Sequence, residues 1–421
     1  MKYLYSTPDL FFEDIIKYPH LCKSCGMCVG VCPTDAVIME KNEFSQFIPR
    51  FIQEKCIYCM QCIRCCPGID ITDNTAENIG NYLDLYIGYA DDPTFREKGS
   101  SGGVISALAS WMLETGIINK EITLNTTQSA ITPEISINQS KEDVNNCNGS
   151  KYVIYPICEE AKQIKKETLI TALPCQSMTL RRMKRDKGYI FGLFCSKAYT
   201  SDLIKYISEK EKIPYSEINQ INYRKGLWPG NVCVATDTKT VQIPLSRSYY
   251  TAIANGNYFT IQGCLFCSDY FNEKADISFG DPWGFKIDSE ILAGKTIIVV
   301  RSEKGKDLID NAEKNEIIKL EKISIDQILS GHKGGIFNKK RTLFIRLQLL
   351  KKMKLPLPKH NEDLSKSGNF VENIIEKYYF RNNFTYKRNY EKIFNLNKHL
   401  VFVERYIIHL IQTIFTKLFS H

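Results

Sequence analysis

The chain has 421 residues, among them 55 Lys and Arg, 47 Asp and Glu, 16 Cys and 6 His. This length suffices for two or three domains with a sizeable core, and so few histidines argue against a histidine-built metal centre. The N-terminus resembles no secretory leader, and no run of about 18 apolar residues is present that would span a bilayer. These features predict a cytoplasmic protein.

Charge is unevenly distributed along the chain. Residues 331–421 hold 18 Lys and Arg against 6 Asp and Glu, so a strongly basic tail follows a slightly acidic body. A basic tail suits a nucleic-acid partner, but no nucleic-acid-binding motif accompanies it. We therefore expect no nucleic acid among the partners of this protein.

Two runs of cysteine near the N-terminus share the spacing C-x-x-C-x-x-C-x-x-x-C-P. They comprise Cys22, Cys25, Cys28 and Cys32 before Pro33, and Cys56, Cys59, Cys62 and Cys66 before Pro67. In two-cluster bacterial ferredoxins with this spacing, three thiolates of a run bind one 4Fe-4S cluster and the fourth binds the other. The spacing therefore predicts one cluster on Cys22, Cys25, Cys28 and Cys66, and a second on Cys56, Cys59, Cys62 and Cys32.

Two other interpretations of these cysteines are less specific. A disulfide framework or a pair of zinc sites also uses closely spaced cysteines, but neither explains a proline after the fourth member of both runs. Cys65, next to Cys66, leaves the spacing intact, and we interpret it as a spare thiol. The duplicated run predicts that this chain moves electrons in a reducing compartment.

The rest of the chain predicts an α/β body and a helical extension, so the fold class is α+β or α/β. Residues 1–75 form the predicted ferredoxin-like domain, 82–330 the body and 331–421 the basic extension. From Asp84 onward, short apolar strands alternate with helices. The predicted strands are 85–90, 168–173, 189–194, 275–278 and 295–300, and the predicted helices are 103–114, 176–184, 201–211 and 306–314.

Two further segments have distinctive compositions. Residues 125–148 are rich in Asn, Thr and Ser, which favours an exposed hairpin or loop. Residues 400–419 place apolar side chains on one face of a helix. This terminal helix either packs on the body or on a second copy, which we favour, or makes peripheral contact with the inner face of the membrane.

A run rich in glycine and serine, residues 98–103, leads directly into an apolar helix. Glycine lets the backbone approach a ligand, hydroxyl groups donate to phosphate oxygens, and a helix N-terminus favours anions. By itself this signal is weak, because flexible turns of similar composition begin many helices.

The same run is the first of six motifs that together resemble one family. They are KGSSGGVISALASWMLETGII at 98–118, GSKYV at 149–153, LPCQ at 173–176, GLFCSK at 192–197, CLFC at 264–267 and ADISFGDPWG at 275–284. In this order they are similar to the beta subunits of coenzyme F-420 hydrogenases and dehydrogenases, whose relatives include formate dehydrogenase beta subunits. The joint occurrence of six motifs makes a chance match improbable.

The resemblance implies FAD and iron-sulfur clusters as cofactors, because family members pass electrons between a two-electron donor and one-electron carriers. By similarity, the FAD site of this chain comprises Lys98, Ser100, Ser101, Gly102, Gly103, Lys151, Tyr152 and Asp281. We identify no catalytic acid or base from the sequence.

Four cysteines of the body suggest a further site: Cys175, Cys195, Cys264 and Cys267. Cys175 and Cys195 follow predicted strands, and the other two form a C-x-x-C pair. From spacing alone, a redox dithiol or buried free cysteines fit equally well. The resemblance implies a third 4Fe-4S cluster at these four positions, close to the flavin.

The sequence thus predicts an iron-sulfur flavoprotein oxidoreductase that reduces its own substrate, with ferredoxin or a redox enzyme as partner and NAD(P)H or coenzyme F-420 as two-electron carrier. An alternative is an electron-transfer subunit without a substrate site. Chains with basic extensions of this type resemble proteins of bacterial surface-polysaccharide synthesis, which gives that alternative a biological context. A cluster-bearing sensor of nucleic acid is the least favoured hypothesis.

Overall fold

The structure is a computed structural model that describes residues 5–73, 78–126, 131–183, 188–286 and 294–386. The amphipathic helix predicted for 400–419 lies outside the described residues. Within them, no helix has the length and hydropathy needed to cross a membrane.

Thirteen strands are present in the described part of the chain. They are β1 Val37–Lys41, β2 Phe47–Phe51, β3 Asp84–Ala90, β4 Lys120–Asn125, β5 Glu134–Asn138, β6 Thr168–Ala172, β7 Tyr189–Leu193, β8 Gln220–Lys225, β9 Asn231–Ala235, β10 Thr240–Pro244, β11 Ile277–Gly280, β12 Thr296–Val300 and β13 Ile318–Lys322. The longer α-helices are Pro8–Lys17, Pro93–Lys98, Val104–Glu114, Lys141–Asn146, Pro174–Arg182, Asp202–Lys210, Tyr249–Asn255, Glu303–Lys314, Ile325–Gly331, Leu343–Lys352 and Phe370–Tyr386. Short helical turns occupy Pro19–Leu21, Met27–Gly30, Gln53–Lys55, Gln61–Cys65, Ile157–Gln163, Tyr215–Glu217, Gln262–Phe266, Lys333–Ile336 and Phe337–Arg341.

The N-terminal unit repeats its backbone after 34 residues, in step with the duplicated cysteine run. A short helical turn precedes Cys22 and another precedes Cys56. Ser24 and Tyr58 share a left-handed backbone, with φ of 53° and 54°. This duplication makes the unit a ferredoxin-like fold, completed by the antiparallel β1–β2 hairpin and the helix Pro8–Lys17.

The body contains a mixed sheet of eight strands in the order β13-β3-β12-β11-β7-β6-β4-β5. Strands β11, β7, β6 and β4 are parallel to one another, and the pairs at both ends of the sheet are antiparallel. Strand β12 has the sequence Thr-Ile-Ile-Val-Val and is buried at every position, as expected for a strand covered on both faces. The predicted mixed α/β architecture is confirmed.

Parallel strands end at the same edge of a sheet, and this edge carries the site. Strand β6 ends at Ala172, β7 at Leu193 and β11 at Gly280. The residues that follow include Cys175, Cys195 and Asp281, for which the sequence predicts contact with cofactors. A second sheet of three antiparallel strands, in the order β10-β9-β8, supplies Arg224 to the same region.

The chain after residue 331 packs on the body as far as it is described. Helices Leu343–Lys352 and Phe370–Tyr386 contact each other through a buried ion pair, Arg346 Nη1 to Glu376 Oε2 at 2.8 Å. Arg346 also donates from Nε to the Leu265 carbonyl at 2.6 Å. This segment therefore belongs spatially to the body, and the domain limits at 75 and 330 remain predictions from sequence.

The five predicted strands and four predicted helices are all present, with ends shifted by at most three residues. Segment 125–148 contains more structure than predicted: the β4–β5 hairpin is followed by the helix Lys141–Asn146. Ser140 and Asp143 form a capping box at its start, a signal that the sequence analysis did not use. The strands β1, β2, β4, β8, β9, β10 and β13 were not predicted, and β5 lies within the segment predicted as an exposed hairpin or loop.

Candidate electron-transfer site

The first predicted thiol set lies together in the structure. Burial, followed by the charge of neighbouring thiols, raises the pKa of Cys25 and Cys28, and burial raises the pKa of Cys22 to about 12. Cys66 interacts electrostatically with all three of these cysteines, although it belongs to the other run. The chain crossing expected for a two-cluster ferredoxin is therefore present.

The second predicted thiol set lines a small cavity of its own. Cys32, Cys56, Cys59 and Cys62 all contribute to its wall, together with apolar side chains such as Phe12 and Phe51. Burial raises the pKa of Cys62 to about 12, with smaller contributions from neighbouring thiols. Again, one member of the set comes from the other run.

Backbone amides donate to the sulfur atoms of these sets. The N–H groups of Ser24, Tyr58 and Gly68 donate to Cys22, Cys56 and Cys66 at 3.3, 3.3 and 3.4 Å, and Ala36 donates to Cys32 at 3.2 Å. Such bonds favour a sulfur that carries negative charge, which is the state that binds iron. In the described part of the chain, no group of His, Cys, Asp or Glu is suitably placed to hold a single metal ion. The backbone N–H groups directed at these sulfur atoms fit thiolates, the form in which cysteine binds an iron-sulfur cluster.

The structure also brings together the four cysteines of the body. Cys175 interacts electrostatically with Cys195, Cys264 and Cys267, and burial raises its pKa well above the usual value. Burial likewise raises the pKa of Cys195, with Cys264 as the next cause. Cys175 lies in the first turn of the helix that follows β6, and Cys195 follows the adjacent parallel strand β7. The other two come from the turn Gln262–Phe266 and its end.

This third set adjoins the first set. The thiol of Cys175 interacts with that of Cys25. At Gly263, a Cβ atom would collide with the carbonyl oxygen of Cys22, so only glycine permits this approach of two backbones. Gly26, with φ of 84°, meets the Pro156 carbonyl in the same way. The N-terminal unit thus packs directly against the part of the body that carries the third thiol set.

A cavity of about 550 Å³ opens beside the third set, and Cys195 forms part of its wall. Of the predicted flavin residues, those that line the cavity are Ser100, Ser101, Gly103, Lys151, Tyr152 and Asp281. Lys98 and Gly102 do not line it. Gly102 instead packs against β3 and β12, where a Cβ would approach Gly88 and Thr296 at 3.0 Å.

One wall of the cavity is organised by a buried arginine that the sequence analysis missed. Arg224 Nη1 lies 2.7 Å from Asp281 Oδ2, and its Nη2 donates to the Ser100 carbonyl at 3.2 Å. Ser101 Oγ donates to the other oxygen of Asp281 at 2.5 Å. Burial lowers the pKa of Arg224, but the interactions with Asp281 and Tyr152 raise it by more. The pKa of Arg224 therefore lies above its usual value. No local motif around Arg224 signals this role, because its partners are distant in sequence.

Two titratable groups face each other on another wall. Burial lowers the pKa of Lys151 to about 8, and Cys147 and Glu121 oppose that shift. The ammonium donates to the carbonyls of Cys147, Asn148 and Gly149, so it fixes the loop before it. Burial raises the pKa of Glu121, which accepts from Asn138 at 2.9 Å.

His332 closes the cavity from the segment after the body. Its Nε2 lies 3.1 Å from the main-chain oxygen of Asp281, which only accepts, so Nε2 carries the proton. Nδ1 then accepts from the Tyr270 hydroxyl at 2.9 Å. Burial lowers the pKa of His332, which agrees with this neutral form. His332 lies in the segment predicted as a basic extension, and no sequence motif marks it.

The start of helix Val104–Glu114 faces the cavity. Val104, Ile105 and Ser106 form its first turn and all three line the cavity, and no acidic residue lies in that turn. The first N–H groups of a helix have no intrahelical partner and attract anions. This arrangement fits the phosphate groups of a nucleotide cofactor.

Comparison with known proteins identifies families for the body and for the N-terminal unit. The model "Coenzyme F420 hydrogenase/dehydrogenase, beta subunit N-term" matches residues 85–160, and its C-terminal counterpart matches 165–326. A 4Fe-4S dicluster domain matches residues 21–71.

Two relatives are proteins named for coenzyme F420. One subunit of the F(420)H(2) dehydrogenase of Methanosarcina mazei is 25% identical over 313 residues, 69% of this chain and 85% of that protein. The coenzyme F420-dependent sulfite reductase of Methanocaldococcus jannaschii is 24% identical over 72% of this chain, which spans 48% of the reductase. A chain from the structure of the F420-reducing [NiFe] hydrogenase complex of Methanosarcina barkeri shares the fold, with a TM-score of 0.52 and 21% identity over 64% of this chain and 94% of that one.

The two halves of one family therefore match most of the body in order, behind a dicluster domain that carries both cysteine runs. This chain belongs to the family of coenzyme F420 hydrogenase and dehydrogenase beta subunits, and it is an iron-sulfur electron-transfer protein.

Proposed function

We propose that this protein is an oxidoreductase that passes electrons between a one-electron carrier and a two-electron carrier through three 4Fe-4S clusters and FAD. The observation that carries the proposal is the order of the thiol sets. The set with Cys56 lies next to the set with Cys22, and the latter adjoins the set with Cys175 at the cavity wall. Such an order is what stepwise electron transfer through one protein requires.

The cavity supports the choice of FAD. Its volume of about 550 Å³ lies within the range typical of small-molecule and cofactor sites. When bound, a flavin accepts a hydride and releases electrons one at a time, which joins two-electron and one-electron chemistry. The first turn of helix Val104–Glu114 would hold the phosphates, with the Ser100 and Ser101 region beside it.

The residues of the cavity would orient such a group and exclude water from it. Arg224 and Asp281 neutralise each other, so the wall presents a fixed dipole and little net charge. Tyr152, whose hydroxyl accepts from Arg224 at 3.3 Å, is held in one orientation. The neutral His332 presents its ring without adding charge next to Tyr270.

We propose the two carriers from the names of the relatives. Several relatives are named for coenzyme F420, including an F420-dependent formate dehydrogenase beta subunit of Methanococcus maripaludis. F420 is therefore the first two-electron carrier to test, with NAD(P)H as the alternative. Ferredoxin or a redox enzyme would serve the N-terminal clusters, and a reducing compartment is required to keep the thiols free.

A second candidate function is that of a subunit serving another enzyme's active site. The observation in its favour is that several relatives are named as subunits. Copurification of a catalytic partner from the native host would support this role, whereas turnover of reduced F420 or NAD(P)H by the isolated chain would contradict it.

The experiment that tests the main proposal is a determination of iron, sulfide and flavin in anaerobically purified protein. We expect about twelve irons and about one FAD per chain, as three cubane clusters and one flavin require. About eight irons without flavin would overturn the proposal and leave a two-cluster carrier joined to a body without redox function.

A further inference from the structure

Two buried lysines flank the third thiol set. Lys23 is 4% exposed and Lys339 is 3% exposed. Lys23 Nζ donates to the carbonyl of Gly263, and Lys339 Nζ donates to the carbonyl of Cys264 at 2.8 Å. Both ammonium groups thus lie against the turn that carries Cys264 and Cys267.

The electrostatic surroundings of the two lysines differ. Burial lowers the pKa of Lys23, and the thiols of Cys267, Cys264 and Cys175 oppose that shift. Lys23 also interacts with Cys22 and Cys66 of the first set. Lys339 interacts with Cys195 and with Lys23. Lys23 therefore interacts with two thiol sets, whereas Lys339 lies against the turn of the third set and interacts with Cys195.

Neither ammonium forms an ion pair with a carboxylate among residues 5–73, 78–126, 131–183, 188–286 and 294–386. The adjacent Lys340 shows the usual arrangement, because its Nζ lies 2.5 Å from Glu273 Oε1. A buried ammonium without a negative partner is costly, so it requires an anion nearby. Four thiolates around a 4Fe-4S core form a dianion when oxidised and a trianion when reduced, which meets that requirement.

Resting on the proposed function, we propose that Lys23 and Lys339 form a pair of fixed positive charges that raises the reduction potential of the cluster on Cys175, Cys195, Cys264 and Cys267. The physical reason is that reduction adds a negative charge at a buried site, and a nearby cation stabilises the more negative state. The lysines act through the cluster and not on a substrate, so they are positioning residues.

The consequence is directional. An electron that enters through the N-terminal unit meets a more favourable potential at the third cluster, next to the cavity. Lys339 lies beyond residue 326, where the match to the family model ends. The chain after the matched region thus contributes a charge to the electron path.

The test is an EPR-monitored redox titration of the anaerobically purified full chain. Cys267→Ser assigns the one-electron step of the third cluster. In Lys339→Met we expect the equilibrium constant for reduction of that cluster to fall about tenfold, which is about 59 mV for a one-electron couple. The other two clusters should keep their potentials.

Matched variants separate charge from packing. Lys339→Arg keeps the charge and should keep the potential near that of the native protein. Lys333→Met removes the charge of an exposed lysine in the same segment and should change nothing. Lys23→Met should lower the potentials of the first and third clusters together, because Lys23 interacts with both sets.

An unchanged third potential in Lys339→Met, with about twelve irons present, would overturn the inference and leave the proposed function intact. About eight irons in the native protein would overturn both, because no third cluster would then exist. An equal shift in Lys339→Arg and Lys339→Met would also overturn the inference, since packing and not charge would be the cause.

Discussion

The N-terminal unit and the body build their thiol sets in opposite ways. In the N-terminal unit, three members of each set lie within seven consecutive residues, and a repeated backbone presents them. In the body, Cys175, Cys195 and Cys264 come from three separate elements that meet only at a sheet edge. The first arrangement is local and readable from spacing, whereas the second depends on tertiary structure.

The largest expected effect is a loss of iron when a ligand of the N-terminal unit is replaced, and two adjacent cysteines test it. Cys66→Ser should remove about four irons, because Cys66 is the crossing ligand of the first proposed cluster. Cys65→Ser is the matched control: this side chain packs in the apolar core and lies outside the spacing. Iron analysis and EPR of both variants provide the measurement. Equal iron loss in the two variants would contradict the ligand assignment.

A second prediction compares ion pairs from the two regions. Asp281→Asn leaves Arg224, whose side chain is 3% exposed, without its partner, and should cost about 3 kcal/mol. In the hairpin, Glu40→Gln breaks a pair that is about half exposed on both sides and should cost about 0–1 kcal/mol.

The midpoint of thermal unfolding and the flavin content measure this difference. We expect a lower midpoint and loss of bound FAD in Asp281→Asn, and neither change in Glu40→Gln. If both variants unfold at the same temperature, Arg224 and Asp281 do not organise the cavity wall as described.

The smallest effect concerns His332 and the pH dependence of the body. Burial lowers the pKa of His332 below its unfolded value of 6.5, so the unfolded chain binds the proton more readily. This group's contribution to stability is therefore fully present above pH 6.5 and is lost as pH falls from there through the lower folded pKa.

His332→Gln keeps a donor and an acceptor but does not titrate. The difference in thermal midpoint between the native protein and this variant should consequently change below pH 6.5, with the native protein losing more. A difference that stays constant from about pH 8 to about pH 5 would show that His332 is not held neutral.

These contrasts explain how far the sequence could be read. Cysteine spacing predicted both N-terminal thiol sets. Runs of apolar residues and turn composition predicted the helix after Gly103 and the strands β3, β6, β7, β11 and β12. The gathering of Cys175, Cys195, Cys264 and Cys267 was suggested by two predicted strand ends and a C-x-x-C pair, whereas a cluster at these positions was implied by the family resemblance. Their ligand roles remain predictions.

Other parts of the site gave no local signal. Arg224 lies in a short strand of ordinary composition, and its importance arises from Asp281, 57 residues away. His332 and Lys339 belong to the segment that was predicted as a basic helical extension separate from the body. Their burial depends on contacts with Tyr270 and Cys264, which no periodicity encodes.

The contact between Gly263 and Cys22 also has a consequence for biogenesis. During translation, both N-terminal cysteine runs leave the ribosome some 200 residues before Cys264, so all eight cysteines of the first two sets are available before the third set is complete. The third set gains its last cysteine at Cys267 and its second lysine only at Lys339. Maturation of the electron path would therefore be ordered in time, from the first clusters to the cavity, by the direction of synthesis itself.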